Sequence, residues 1–173
     1  MQSYLKETDL PKLEQLVVTK SWWDTVDILD RVVGSLVYKH PELEEIILIF
    51  FENLFKPRQH PSATSKQCFE QPTASFLVCS LISLSITWSL SDNIWLRRVA
   101  IDHQLLRKEK TNTQLMEKIL LHNLNQTEFF INKAIGWTLR DYSKTNPTWV
   151  TCFIEKNKER MAELSIKEAS KYL

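Results

Sequence analysis

The sequence of 173 residues has little glycine, with only Gly34 and Gly136. Two glycines are too few for a glycine-rich phosphate loop, a dinucleotide-binding turn or the tight turns of a β-sandwich. The three cysteines include no C-x-x-C pair and the four histidines include no H-E-x-x-H pattern. These absences argue against a disulfide framework and against a zinc site. We therefore expect a cytoplasmic protein that uses no metal and no other cofactor.

Long apolar runs are also missing. The longest uncharged stretch, residues 71–91, is interrupted by serine, threonine and proline, and its apolar centre FLVCSLISLSI is too short to cross a bilayer. The first fifteen residues are polar and lack the apolar region of a signal peptide. We expect no membrane association and a monomer.

The net charge of +1 hides an uneven distribution. Residues 1–90 carry 8 basic and 11 acidic side chains, whereas residues 91–173 carry 14 basic and 10 acidic side chains. A basic C-terminal half is compatible with a polyanionic partner. On charge alone, an ordinary solvated surface explains the distribution equally well.

Most of the chain has the apolar periodicity of helices. In residues 22–39, apolar side chains recur at positions 22, 26, 29, 33 and 36, which is one stripe of a helix. Proline, serine, threonine and aspartate mark the starts of further helices. Helices are predicted over 22–39, from Pro41, from Ser91 or Asp92 to about 108, over 113–122, 127–144 and 147–153, and at a capping box from Ser165 to Glu168.

Three of these segments resemble one another. Each has an aromatic residue near its start and apolar residues at a similar offset, and the second and third copies lie 34 residues apart. Helical repeats of this length predict an all-α fold, a HEAT-like α-solenoid of antiparallel helix pairs. A non-repeating helical bundle is the alternative. We interpret residues 1–173 as a single domain with an irregular insertion at about 52–87, where the composition becomes rich in Pro, Ser and Gln.

The first copy carries a possible reactive group. Trp23, Asp27, Asp30 and Gly34 form a stripe beside its apolar one, so an indole and the Asp27 carboxylate project side by side. Core packing for Trp23 and an ordinary solvated acid for Asp27 are the alternative.

The later copies add positive charge. Lys133, Trp137, Arg140 and Lys144 share one helical stripe; basic side chains neutralise phosphates, and an exposed indole offers a stacking surface. In the middle copy, Arg97 or Arg98 is expected to reach the same surface. Parallel stacking of the repeats would bring these groups to one concave face.

The segments SWWDTVD (21–27), SDNIWLRRVAI (91–101) and FFINKAIGWTLRDYSKTNP (129–147) closely resemble the AlkD-type DNA alkylation repair family, the HEAT-like DNA glycosylases. The resemblance covers residues 1 to about 50 and 88–173. It implies excision of N3- and N7-alkylated purines, such as 3-methyladenine and 7-methylguanine, from double-stranded DNA without base flipping. Relative to the family, the chain is expected to be shortened at its N-terminus.

The resemblance also implies roles for individual residues. Asp27 would stabilise the cationic sugar and orient the attacking water, and Trp23 and Trp137 would hold the sugar and backbone of the lesion. The resemblance implies that Arg98 and Arg140 bind phosphates. Lys133 and Lys144 are expected to bind phosphates because they lie on the basic stripe. The alternative is a non-catalytic HEAT-repeat module that binds DNA or a protein, as a truncated or inactive relative of the glycosylases.

Overall fold

The structure, a computed structural model, describes residues 5–40 and 88–173. Within these ranges it is all-α, as predicted, with no strand. The predicted helix from Pro41 and the whole of the predicted insertion at about 52–87 lie outside the described residues. The α-helices are α1 (Leu10–Thr19), α2 (Trp23–Lys39), α3 (Ile94–Asp102), α4 (Thr113–His122), α5 (Phe129–Ser143), α6 (Pro147–Asn157) and α7 (Glu163–Ala169).

Four of these helices lie side by side in one layer, in the order α2, α3, α5, α7. The hydrogen bonds between α2 and the α3 region join residues 71 to 73 positions apart. Those between α3 and α5 join residues 32 to 37 positions apart. Because each offset stays nearly constant along the helices, neighbouring helices run in the same direction. The three aromatic-led segments thus start three parallel helices, as the repeat predicted.

The remaining helices pack behind this layer. Helix α1 packs on α2 and α3, α4 on α3, and α6 on α5. Two apolar cores fill the space between the layers, one around Val26, Val33 and Val99 and one around Ile135 and Leu139. Each of these five side chains is at most 2% exposed, so the layer that carries the site rests on a rigid support.

Helix boundaries differ from the predicted ones by a few residues. Asn93, rather than Ser91 or Asp92, caps α3 by accepting the backbone N–H of Trp95 at 2.9 Å, and this helix ends at Asp102 rather than near 108. Asn112 caps α4 by accepting the N–H of Leu115 at 3.1 Å. Asparagine at these positions satisfies backbone donors that have no partner within the helix.

Across the described ranges, every helix falls short of the length and apolar character that crossing a bilayer would require.

Candidate active site

The side chain of Arg98 lies at the centre of the site. It is 2% exposed, and its Nη2 and Nε donate to Oδ1 of Asp27 over 2.7 and 3.1 Å. Its Nη1 donates to the backbone oxygen of Phe130 at 3.0 Å. Arg98 on α3 therefore ties α2 to α5. The structure differs here from the expected surface role in phosphate binding, because the guanidinium is turned inward onto a carboxylate and a carbonyl.

Trp137 lies on another side of the same guanidinium. Its ring centroid is 5.2 Å from Cζ of Arg98, 5.7 Å from Nζ of Lys133 and 5.8 Å from Cζ of Arg140. These distances are typical of cation–π contacts. The structure thus brings together Asp27, Arg98 and Trp137 from three successive parallel helices, as the sequence predicted, but with Arg98 buried rather than exposed on a shared surface.

The two tryptophans at the start of α2 are exposed. Trp23 is the first residue of the helix, one turn before Asp27, and its side chain is 47% exposed. An exposed indole beside a carboxylate is available for contact with a ligand. Trp22, predicted as the start of the apolar stripe, is 62% exposed instead. The reason is its position before the first turn, beyond the end of the packed layer.

The predicted basic stripe on α5 is held by an acid from α7. Glu168 accepts from Nζ of Lys133 at 2.7 Å and from Nη1 of Arg140 at 2.6 Å. The hydrogen bond from Lys133 is the main reason that the pKa of Glu168 lies below its usual value. The spacing of Ser165 and Glu168 predicts a capping box. In the structure the hydroxyl of Ser165 donates to the backbone oxygen of Asn132, so both residues tie α7 to α5.

Lys144 stands apart from this pairing. Its Nζ lies 3.6 Å from Asp141 and 5.3 Å from the ring centroid of Tyr172, and the side chain is 55% exposed. Of the four predicted phosphate ligands, Lys144 has the most exposed side chain, whereas Lys133 and Arg140 are each 26% exposed.

Two further acids complete what we call the Arg98 cluster, defined as Arg98, Asp27, Asp30 and Asp102. Asp102 is 1% exposed, and its Oδ2 lies 3.8 Å from Nε of Arg98. Its Oδ1 accepts the hydroxyl of Thr138 at 3.0 Å. Burial raises the pKa of Asp102 to about 6, against the lowering effects of Arg98 and Thr138.

Asp30 is also buried, at 3% exposure. Burial raises its pKa to about 8, with further raising contributions from the charges of Asp102 and Asp27. At neutral pH the cluster therefore holds one cation, two carboxylates and one protonated acid.

Replacing Asp30 with asparagine is expected to stabilise the protein increasingly as pH rises. Folded Asp30 keeps its proton up to about pH 8, whereas an unfolded aspartate releases it near pH 4, so the wild type loses stability between these values. The stability gained by Asp30→Asn should grow by up to about 1.4 kcal/mol per pH unit over this interval and then level off. Urea unfolding from pH 4 to 9 measures it. Exposed Asp92→Asn serves as the control, and a gain that does not vary with pH would contradict the pKa of Asp30.

Gly34 lets α2 approach the end of α3. A Cβ at this position would clash with the backbone oxygen of His103. The space beside Gly34 is therefore filled by the protein's own backbone. His103 is itself neutral, since burial lowers its pKa to about 3, and its Nδ1 bonds to the oxygen of Ala100.

A cavity of about 430 Å³ lies between the C-terminal half of α2 and the segment that follows α3. Its lining includes Asp102 of the Arg98 cluster and three cations. On α2 it follows the same stripe as Asp27, because Arg31, Gly34 and Tyr38 succeed that residue at helical spacing. The cations Arg31, Arg107 and Lys110 line this cavity from α2 and from the segment after α3.

The sequence matches the DNA alkylation repair enzyme family over residues 1–54 and 71–173. The chain belongs to this family. The match contains all seven described helices and every residue of the Arg98 cluster. It leaves out residues 55–70, which fall within the predicted insertion, and it includes residues 71–87 of that segment.

A solved structure supports membership in the DNA alkylation repair enzyme family. It is described as a predicted DNA alkylation repair enzyme from Enterococcus faecalis, and it superimposes with a TM-score of 0.69 at 32% sequence identity. The likeness covers 99% of this chain and 62% of the other, so the chain spans less than two thirds of that protein's length. No curated protein gives a significant match.

The roles of three residues in the site were not predicted from the sequence. Asp102 follows Arg98 at the spacing of an ion pair on a helix, which is the one local signal that could have found it. Asp30 was visible on the Asp27 stripe without a role, and the pairing of Glu168 joins residues 28 and 35 positions apart. Within the described ranges, no group of three or more His, Cys, Asp or Glu residues could hold a metal ion.

Proposed function

We propose that the protein is a DNA glycosylase that removes N3- and N7-alkylated purines from duplex DNA without flipping the base. One observation carries the proposal: Arg98 fixes the carboxylate of Asp27 and lies 5.2 Å from the ring centroid of Trp137. A fixed carboxylate stabilises positive charge that develops on a substrate without first having to reorganise. Membership in the DNA alkylation repair enzyme family supports a DNA substrate.

The reaction needs little general-acid catalysis of base departure. An N-alkylated purine is cationic, and breaking its bond to C1′ returns the electron pair to the ring nitrogen, which leaves the base neutral. The sugar becomes an oxocarbenium-like cation, which Asp27 stabilises by its charge. Water then attacks C1′ and loses a proton, giving a hydroxyl at C1′ of an abasic site. In this reaction Trp23 and Trp137 hold the sugar and backbone of the damaged strand.

The test of this proposal is the release of 7-methylguanine and 3-methyladenine from methylated duplex DNA under single-turnover conditions. We expect release faster than the spontaneous loss seen without protein, and no release of unmodified guanine. Because a purine in the duplex carries a positive charge only when it is alkylated, unmodified DNA is the matched substrate control. Release at the spontaneous rate for both alkylated bases would refute the proposal.

A non-catalytic DNA-binding module is the alternative, and one contact favours it. Arg98 lies 2.7 Å from Asp27 and offsets its negative charge, which weakens the attraction of the carboxylate for a cationic sugar. In that case duplex DNA binds with a steep salt dependence and both alkylated bases leave at the spontaneous rate.

Phosphate binding by Lys133 and Arg140 has to compete with Glu168, which holds both cations. We therefore expect Glu168→Gln to tighten binding of duplex DNA, and the slope of log affinity against log salt to steepen by about 1. Arg140→Ala should weaken binding instead. Fluorescence anisotropy at several salt concentrations measures both effects.

The control for this prediction is Glu163→Gln, which removes the same charge from an exposed position in the first turn of the same helix. Equal tightening by Glu163→Gln and Glu168→Gln would show a general effect of net charge and would contradict a specific competition at Lys133 and Arg140.

A further inference from the structure

The pairing of Asp27 with Arg98 poses an electrostatic problem for the proposed reaction, on which this inference rests. Arg98 donates twice to Oδ1 of Asp27, at 2.7 and 3.1 Å. A carboxylate paired this closely with a guanidinium is nearly neutral when viewed from a distance. Such a pair gives a developing sugar cation far less stabilisation than a carboxylate with net charge.

A second carboxylate is built against the same guanidinium. Asp102 lies one helical turn after Arg98 on α3, with its Oδ2 3.8 Å from Nε of Arg98. Thr138 on α5 fixes the other oxygen with a hydrogen bond of 3.0 Å. Within the described residues, Oδ2 of Asp102 has no hydrogen-bond partner. The guanidinium of Arg98 is therefore the main charged group that acts on this oxygen.

The protonation states leave the centre negative at neutral pH. Asp102 has a pKa of about 6 and is ionised, whereas Asp30 has a pKa of about 8 and keeps its proton. His103, next to Asp102 in sequence, has a pKa of about 3 and is neutral. Within the Arg98 cluster one guanidinium therefore faces two carboxylates, and the cations Arg31, Arg107 and Lys110 line the cavity beside Asp102.

We propose that Asp102 is a positioning residue that balances the charge of Arg98 and thereby leaves the charge of Asp27 available for the cationic sugar. Asp102 acts through Arg98 and does not touch the DNA, since it is 1% exposed. Arg98 fixes the direction of the Asp27 carboxylate but offsets its negative charge. Asp102 balances the positive charge of Arg98, so the negative charge of Asp27 is again felt by the sugar. The ion pair that favours a non-catalytic module then becomes compatible with catalysis.

The first test compares Asp102→Asn with wild type in single-turnover release of 7-methylguanine. We expect the rate to fall about tenfold, because one net charge near the reacting sugar is lost, while affinity for undamaged duplex stays the same or rises. Exposed Asp92→Asn makes the same chemical change and should leave the rate unchanged. Thr138→Val, which keeps the charge and removes only the hydrogen bond, should lower the rate less than Asp102→Asn does.

A pH profile separates the charge of Asp102 from a merely structural role. The wild-type rate should fall as pH decreases through about 6, since Asp102 then takes up a proton beside Arg98, and Asp102→Asn should lack this dependence. The groups that contact or act on Asp102 are Arg98 from its own helix, Asp27 and Asp30 from α2, and Thr138 from α5. The cavity that Asp102 lines also contains the cations Arg31, Arg107 and Lys110. A wild-type rate and an unaltered pH profile in Asp102→Asn would overturn the proposal, as would a rate that falls only with the folded fraction.

A binding measurement tests the charge role even if no base is released. Duplexes carry either a pyrrolidine abasic analogue, which is cationic at neutral pH, or a tetrahydrofuran analogue, which is neutral. Wild type should prefer the cationic analogue, and Asp102→Asn should lose about tenfold of this preference. If Asp102→Asn loses the preference and wild type releases no base, the glycosylase proposal is refuted and the role of Asp102 stands. Base release by wild type with an equal preference in both proteins would refute the role of Asp102 alone.

Discussion

Asp27→Asn is expected to slow the release of 7-methylguanine by at least about 100-fold, towards the spontaneous rate. Asparagine keeps the shape of the side chain and an oxygen that accepts from Arg98, so the 2.7 Å contact with the guanidinium can persist. What it loses is the negative charge, which the proposed reaction needs when the sugar becomes cationic. Chromatography of bases released from methylated duplex DNA measures the rate under single-turnover conditions.

The matched control for this prediction is Asp24→Asn on the same helix. Asp24 is exposed in the first turn of α2, where its carboxylate accepts from Thr25, and the substitution removes the same charge. Its rate should stay within about threefold of wild type, as expected for an exposed charge in water. Equal rates for wild type and Asp27→Asn would contradict the role of Asp27.

Arg98→Met is expected to lower the free energy of unfolding by about 3–5 kcal/mol at pH 8, because it leaves Asp102 buried without its cation. Methionine fills much of the same volume, so the loss reports charge and hydrogen bonding more than packing. It also removes the donors to Asp27 and to the backbone oxygen of Phe130. Urea unfolding followed by circular dichroism measures the change.

The pH dependence of this loss has a definite sign. Without Arg98 the acids of the cluster bind protons more readily, so the destabilisation should be smaller at pH 5 than at pH 8. Asp102→Asn in the Arg98→Met background should recover part of the lost stability. Arg97→Met, at the adjacent and partly buried position, should cost about 1 kcal/mol or less. A loss for Arg98→Met no greater than for Arg97→Met would contradict the central place of Arg98.

The sequence was sufficient for most of the described helices and for the parallel stacking of α2, α3 and α5. On α5 the apolar residues Ile131, Ile135, Leu139 and Tyr142 recur at helical spacing and are buried, and the repeat predicted that Asp27, Arg98 and Trp137 meet. The caps were less predictable, because several polar residues in a row can each bond to the first turn of a helix, and the fit of the preceding turn selects one. Asn93 was selected in this way over its two polar neighbours.

The charges within the site could not be predicted in the same way. Whether Arg98 points to the surface or to the core depends on how α3 is rotated between α2 and α5, and adjacent residues differ by about 100° around a helix. The cation thus faces Asp27 and Asp102 rather than solvent. The pairing of Lys133 and Arg140 with Glu168 likewise depends on the register of α7 against α5, which no local pattern records.

The most direct test of the central claim, that the Asp27 carboxylate stabilises a cationic sugar, is the ratio of affinities for the cationic pyrrolidine and neutral tetrahydrofuran duplexes in wild type and Asp27→Asn. Wild type should bind the cationic duplex at least about tenfold more tightly. Asp27→Asn should bind the two duplexes equally, with affinity for the neutral one unchanged. An equal ratio in the two proteins would contradict the claim.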